Sequence, residues 1–177
     1  MLNPKNKNIV LIGFMGVGKG TIARSLIQKT KRMGLDTDDI IESMENRKIK
    51  DIFASDGEAY FRKLEKKTAK WLEKSVKNAV ISTGGGFFKV DNLEKIGTVI
   101  YLKSSFEGIL KRLQEHENAN LKLAKRPLLS DLEKAKALFD ERSPLYEAKA
   151  DIIIDVEERK IKEIVKDIIS VLKLKKD

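Results

Sequence analysis

The chain has 177 residues, of which 41% are hydrophobic and 36% charged, and its formal net charge is +9 at pH 7. Such a length predicts one domain with one core. The absence of cysteine and the presence of a single histidine, His116, exclude disulfides, thiolate zinc sites, cysteine nucleophiles and histidine-cluster metal sites. No apolar run approaches the roughly 20 residues that span a bilayer, and the N-terminus lacks a signal-peptide pattern, so we expect a cytoplasmic protein.

Short β-branched segments alternate with longer helical patterns. The predicted strands, in chain order, are "NIVLIGF", "GLD" ending at Asp36, "NAVIST", "GTVIYLK" and "ADIIID". The predicted helices are "GTIARSLIQKTK", "DDIIESMENR", "IKDIFASD", "GEAYFRKLEKKTAKWLEKSV", "SFEGILKRLQEHEN", "DLEKAKALFDERSPLYEA" and "RKIKEIVKDIISVLKLKK". Trp71 has the helical spacing of a packing anchor. This alternation predicts an α/β fold in three layers, α/β/α, around a five-stranded parallel sheet.

A glycine-rich segment joins the first strand to the first helix. Gly13, Gly18 and Lys19 fit the phosphate-loop pattern G-x-x-x-x-G-K-[ST], but Gly20 stands where a hydroxyl is expected. Backbone N–H groups and a helix N-terminus converge on an anion in such a loop, and lysine can reach the terminal phosphates of a nucleotide. We therefore predict a phosphate-loop NTPase type of fold with a loop over residues 13–21. The predicted nucleotide-binding residues of the loop are Gly16, Val17, Gly18, Lys19, Gly20 and Thr21.

The run Gly18, Lys19, Gly20, Thr21 resembles the G-K-G-T of adenylate kinases, so we expect ATP binding to survive. The direct hydroxyl ligand for magnesium is missing at Gly20, and Thr21 comes one residue too late to replace it. We predict that Mg²⁺ is held by phosphate oxygens and water, with a water-mediated contact to Asp36.

Three further segments carry chemistry. "LDTDDIIE" places Asp36 and Asp38 at a strand end, although Asp38 could also cap the following helix. "GEAYFRKLE" places Arg62 and Glu65 one helical turn apart, which by itself indicates an ordinary exposed pair. In "ISTGGGF", the glycines 84–86 let the backbone approach a small ligand.

In order, these segments resemble the shikimate kinase family. The resemblance rests on "GFMG", D-T-D, G-E-x-x-F-R, the glycine triplet, "KRPLL" and "ERSPLY", and it runs from Ile9 to about Asp155. It implies a single kinase domain over 1–177 with ATP and Mg²⁺ as cofactors. The implied reaction is the phosphorylation of shikimate to shikimate 3-phosphate in aromatic amino acid (chorismate) biosynthesis.

The resemblance also implies roles for individual residues. The implied shikimate-binding residues are Asp38, Phe53, Phe61, Arg62, Gly84, Gly85, Gly86 and Arg142, with the two arginines meeting the carboxylate. Arg126 corresponds to a lid arginine that reaches the transferring phosphate, and Arg112 to one that covers adenine. Lys19, Asp38 and Arg126 would be catalytic. The implied substrate-binding subregion covers about 36–66, and a mobile lid about 115–127.

Elementary chemistry agrees with these roles but leaves alternatives open. Arginine suits a carboxylate, and a carboxylate suits ring hydroxyls. Without the family pattern, Arg112, Arg126 and Arg142 look like surface arginines, and Phe53 and Phe61 could be plain core residues.

Two other functions compete with this interpretation. The G-K-G-T run favours a nucleoside monophosphate kinase, and the charge of +9 could serve a nucleic-acid-associated ATPase. The lysines are scattered without interleaved aromatics, and no N-K-x-D motif follows the loop. We interpret Asp155, after "IIID", as a strand exit rather than a metal ligand. We expect a monomer that binds neither nucleic acid nor membrane.

Overall fold

The computed structural model describes residues 7–115 and 131–174. Its core is a sheet of five parallel strands in the order β2-β3-β1-β4-β5. The strands are β1 (Asn8–Ile12), β2 (Met33–Asp36), β3 (Ala79–Ser82), β4 (Gly97–Lys103) and β5 (Ile152–Asp155). All residues of β1 and β3 are buried, as expected for apolar strands covered on both faces. The predicted α/β fold with five parallel strands is therefore confirmed.

Helices connect the strands. In the described part of the chain they are α1 (Lys19–Thr30), α2 (Thr37–Glu45), α3 (Ile49–Ser75), α4 (Leu93–Ile96), α5 (Phe106–Gln114), α6 (Leu132–Lys149) and α7 (Ile161–Val171). A 3₁₀ turn, Phe87–Lys89, follows β3. The sequence patterns predict neither this turn nor α4, because elements of three or four residues are too short to show a period. None of the described helices is long and apolar enough to cross a bilayer.

The direction of the crossovers places helices on both faces of the sheet. α1 packs against β3 and α7, whereas α4 packs against α3 and β4. Because parallel crossovers are right-handed, the β1-to-β2 and β2-to-β3 connections, which run in opposite directions along the sheet, lie on opposite faces. The result is the predicted three-layer arrangement.

Strand register brings the functional segments to one edge of the sheet. Leu11 of β1 pairs with Ser82 of β3, and Asp36 of β2 pairs with the same Ser82. The carboxyl ends of these three strands are therefore nearly level, and the segments that follow them share one crevice. Ligands of open parallel sheets bind in such crevices.

A second, smaller core lies beside this crevice. The main core is formed between the sheet and its helices, whereas a separate cluster lies between α2 and α3 and consists of Ile41, Ile52, Phe61 and Leu64. Within α3, Gly57 breaks the helical conformation with φ 79° and ψ 176°, where the sequence predicts the junction of two helical segments. The smaller core therefore supports one wall of the crevice separately from the sheet.

Candidate active site

The loop between β1 and α1 turns its backbone toward the crevice. Gly16 and Gly18 have φ values of 84° and 105°, a region that favours glycine. A β-carbon at Gly18 would lie 2.8 Å from Nη1 of Arg112. The loop ends at the first turn of α1, which carries no acidic residue, so the positive end of the helix dipole is available to an anion.

The side chain of Lys19 folds back over this loop. Its Nζ donates to the carbonyl oxygens of Gly13, at 2.6 Å, and Phe14, at 3.0 Å. Val17, at the turn of the loop, is buried and donates its N–H to the same Phe14 carbonyl. The ammonium group is thereby held beside the backbone donors of the loop, where the γ-phosphate of a nucleotide would need it.

A cleft of about 990 Å³ opens above the loop. Its walls come from the loop itself, from the ends of β2 and β3, from α5 and from the segment after β5. The predicted residues that line it are Gly16, Gly18, Lys19, Gly20, Thr21, Asp36, Asp38, Gly84, Gly85 and Arg112. The cleft is as large as sites that enclose a nucleotide-sized ligand.

Asp36 and Asp38 have different local roles. Asp36 caps α2: its Oδ1 accepts the N–H groups of Asp38, at 2.9 Å, and Asp39, at 3.4 Å. The alternative in which Asp38 caps the helix is therefore wrong. Because Asp36 fills that position, the Asp38 carboxylate faces the cleft instead.

The carboxylate of Asp38 is buried and incompletely bonded. Its Oδ1 has no hydrogen-bond partner among residues 7–115 and 131–174. Burial raises the pKa of Asp38 to about 7, with further raising by the negative charges of Asp36 and Glu65 and opposition from Lys19. A buried acceptor without a donor costs free energy, so the Asp38 carboxylate gains from a donor that a ligand in the cleft supplies.

Gly84 allows this carboxylate to approach the backbone. A β-carbon at Gly84 would lie 2.5 Å from Asp38 Oδ1, closer than real contacts permit. The N–H of Gly84 donates to the hydroxyl of Thr37 at 3.0 Å, which ties the glycine triplet to the start of α2. Sequence reasoning missed Thr37, although it is the central residue of D-T-D.

Arg62 is held by two carboxylates on its own helix. It donates to Glu65 at 2.6 Å and to Glu58 at 2.8 Å. Glu65 is only 2% exposed, so the interpretation of Arg62 and Glu65 as an ordinary exposed pair is wrong. Burial raises the pKa of Glu65 against the opposing effect of Arg62. A β-carbon at Gly86 would collide with Nη1 of Arg62, so the guanidinium lies directly against the glycine triplet.

Arg142 approaches the triplet from α6. It is 7% exposed, unlike the surface arginine that its surroundings in the sequence indicate, and its Nε has no hydrogen-bond partner within the described residues. A β-carbon at Gly85 would lie 3.5 Å from its Nη1. Thus the two predicted carboxylate-binding arginines, from α3 and α6, both lie beside the glycine triplet.

Tyr146 fixes the middle of the triplet and was missed by sequence reasoning. Its hydroxyl donates to the carbonyl of Gly85 at 2.5 Å. Burial raises the pKa of Tyr146 to about 12, against the opposing charge of Arg142, so it remains a donor at neutral pH. The available signal was its spacing, one helical turn after Arg142 in "ERSPLY".

Phe53 and Phe61 pack against each other, with ring centroids 4.8 Å apart and ring planes tilted by 40°. Phe61 belongs to the smaller core and lies 5.6 Å from the Arg62 guanidinium, whereas Phe53 is 38% exposed. Phe61 therefore has a packing role whatever else it does, and Phe53 offers an aromatic surface at the same wall.

Arg112 connects the phosphate loop to the segment after β5. Its Nη1 donates to the carbonyl of Val17 at 3.1 Å and its Nη2 to that of Val156 at 2.7 Å. It thus borders the cleft between the phosphate loop and the segment after β5. Arg126 and nearly all of the predicted lid lie outside the described residues; Glu115, the first lid residue, lines the cleft.

The cleft suits a hard cation that is bound through water. In residues 7–115 and 131–174, no group of three or more acidic, histidine or cysteine side chains could enclose a metal. The oxygen atoms of Asp36 and Asp38 nevertheless border the cleft, and Asp38 Oδ1 lacks a donor. Magnesium keeps several waters and needs only one or two carboxylates together with phosphates, so these residues fit it.

Comparisons of both the sequence and the structure with known proteins return shikimate kinases. A family model for shikimate kinase matches residues 15–173. The shikimate kinase of Helicobacter hepaticus is 46% identical over 84% of this chain and 86% of its own length, and that of Sulfurihydrogenibium sp. is 38% identical over 94% and 98%. Among solved structures, shikimate kinase from Acinetobacter baumannii in complex with shikimate is similar with a TM-score of 0.82 and 31% identity, over 94% of this chain and 93% of that one.

Proposed function

This chain belongs to the shikimate kinase family, and from that premise we propose that it transfers the γ-phosphoryl group of ATP to a ring hydroxyl of shikimate. The observation that carries the proposal is the carboxylate of Asp38, whose buried Oδ1 has no donor among the described residues and which lies between a phosphate loop and the arginine-flanked glycine triplet. The nucleoside monophosphate kinase and the nucleic-acid-associated ATPase are not favoured by the comparisons.

In this proposal the nucleotide binds along the loop and α5. The backbone of residues 16–21 and the ammonium group of Lys19 bind the phosphates, while Arg112 borders the adenine. Val17 anchors the loop because its side chain is buried in the main hydrophobic core. Arg126, outside the described residues, would reach the transferring phosphate from a lid over about 115–127.

The acceptor binds across the glycine triplet. Arg62 and Arg142 would bind its carboxylate, since a guanidinium can donate two parallel hydrogen bonds to it. The absence of side chains at Gly84, Gly85 and Gly86 lets Asp38, Arg142 and Arg62 lie against the triplet. The Phe53–Phe61 wall would contact the ring face. The subregion over about 36–66, which contains the smaller core, would supply Arg62 and the two phenylalanines.

Asp38 would orient the attacking hydroxyl and accept its proton. A base with a pKa near 7 combines a useful ionised fraction with enough basicity. The protein otherwise positions the reactants and neutralises charge on the moving phosphoryl group. Mg²⁺, held by phosphate oxygens and by water bonded to Asp36, would supply part of that neutralisation. We further propose that the protein acts in the cytoplasm as a monomer, without nucleic acid or membrane.

The direct test is Mg²⁺-dependent transfer of phosphate from ATP to shikimate, with AMP as the competing acceptor in a parallel reaction. We expect transfer to shikimate alone. Transfer to AMP alone would overturn the assignment in favour of the G-K-G-T alternative. Transfer to neither acceptor, with ATP still bound, would contradict the proposal that a metal held through water supports the reaction without a hydroxyl ligand at position 20.

A further inference from the structure

The opening left by Gly20 is bordered by an arginine. A β-carbon at Gly20 would lie 3.5 Å from Nη1 of Arg24, which is an ordinary contact, so the packing of residues 7–115 and 131–174 does not require glycine there. Arg24 lies one helical turn later on α1, and long side chains on a helix lean toward its N-terminus. The Arg24 guanidinium therefore covers the first turn of α1, where phosphate oxygens would lie.

Arg24 differs from the other arginines that line the cleft. Arg112 donates to two backbone carbonyls, and Arg159 donates to a carbonyl and forms an ion pair with Asp167. Within the described residues, the side-chain contact of Arg24 is one long hydrogen bond, 3.4 Å, to the hydroxyl of Thr21. Most of its donors therefore remain available to a ligand.

The position of this charge is unfavourable without an anion. Arg24 is exposed on α1 and brings a cation toward the positive end of the helix dipole, whose first turn has no acidic residue to compensate. A nucleotide phosphate at the same point would reverse the sign of the interaction. The local electrostatics thus fit a phosphate ligand.

We propose that Arg24 is a further nucleotide-binding residue, which donates to the phosphates through the opening that Gly20 leaves. It supplies positive charge where the phosphate-loop pattern expects a metal-binding hydroxyl. Nucleotide affinity then depends on Arg24. It depends less on Mg²⁺ than it would in a protein with serine at position 20. The inference rests on the proposed function only in taking an adenine nucleotide as the ligand.

The test is calorimetric titration with ADP, once in EDTA and once in Mg²⁺. We expect Arg24→Gln to weaken ADP binding about tenfold in EDTA, the size of one charged hydrogen bond at a partly solvated site. Arg24→Lys should restore part of the loss. Lys29→Gln is the matched control, because it removes an exposed cation from the last turn of the same helix. Thermal melting of each variant checks that the fold is retained.

A double-mutant cycle with Gly20→Ser tests the replacement of the hydroxyl. In Mg²⁺, Arg24→Gln should weaken ADP binding less in the Gly20→Ser protein than in the natural protein, since the serine can bind the metal. Unchanged ADP affinity in Arg24→Gln would overturn the phosphate contact, and equal losses in both backgrounds would overturn the link to Gly20. Neither result depends on the acceptor, so both are separate from failure of the shikimate assay.

Discussion

Replacing Asp38 by asparagine should stabilise the empty protein while it abolishes most turnover. Burial and neighbouring carboxylates raise the pKa of Asp38 from 3.8 to about 7. The folded protein thus holds this proton more tightly than the unfolded chain, and its stability falls as the pH rises from about 4 to about 7. At about 1.4 kcal/mol per pKa unit, the free energy of unfolding decreases by ~4 kcal/mol in total, and ~2.5 kcal/mol of this decrease occurs between pH 5 and pH 8. Asparagine cannot ionise and avoids this loss.

The assay is thermal unfolding of the natural protein and Asp38→Asn, each at pH 5 and pH 8 without ligands. At about 2–4 °C per kcal/mol for a chain of this size, the Tm advantage of the variant should grow by about 5–10 °C between the two pH values. Asp91→Asn, which changes a carboxylate that is 82% exposed, should show a nearly constant difference. An equal Tm difference for Asp38→Asn at both pH values would refute the reasoning, because the ionised carboxylate would then not be destabilised in the fold.

Three other outcomes follow from the same geometry. The kcat/KM for shikimate should rise about tenfold from pH 5 to pH 6 and level off above about pH 7, as Asp38 ionises; a flat profile would argue against its role as a base. Gly86→Ala should raise KM for shikimate at least about tenfold with KM for ATP unchanged, because the new methyl group displaces Arg62; equal changes in both constants would contradict this. Gly57→Ala should lower stability by about 1–3 kcal/mol in denaturant unfolding, since φ 79° with ψ 176° is a glycine conformation. No described residue would lie within 4 Å of the new β-carbon, so the cost is in the backbone; unchanged stability would mean that the break in α3 relaxes easily.

The sequence predicts the sheet well because its signal is local. Each strand is a short apolar run, and every crossover except the one between β3 and β4 contains a segment with helical period, so most of the order of elements follows from one-dimensional patterns. The pattern even places the break in α3 at Gly57. The spatial strand order is not contained in these patterns and becomes known only from pairing across the sheet.

Burial of charged groups was harder to predict. Glu65 has the spacing of a surface ion pair, yet it lies at the junction of α3 with the glycine triplet and is almost inaccessible. Conversely, Trp71 has the spacing of a packing anchor but is 45% exposed, so that expectation is wrong. Helical periodicity identifies faces of a helix, whereas the depth at which a face is buried depends on the neighbouring elements.

The site residues divide in the same way. Motifs indicated the backbone elements of the site, the phosphate loop and the glycine triplet, because glycine and lysine at fixed spacing have few other uses. Thr37 and Tyr146 act through contacts between segments distant in the sequence. The spacing of Tyr146 after Arg142 places both on one helix face, but only the folded arrangement reveals the residues that they contact.

The environment of Asp38 also bears on the order of events in the proposed reaction. Nucleotide phosphates would add negative charge near Asp38 and raise its pKa further, whereas the acceptor hydroxyl, by donating to Oδ1, would favour the ionised form and lower it. Lys19 is the cation that opposes the carboxylate neighbours of Asp38, and its ammonium group must also serve the phosphates. When a phosphate draws Lys19 away, Asp38 loses part of that compensation. At neutral pH we therefore expect Asp38 to be more fully ionised when the acceptor is bound than when ATP alone occupies the cleft, which would limit its action as a base toward stray water in the ATP complex.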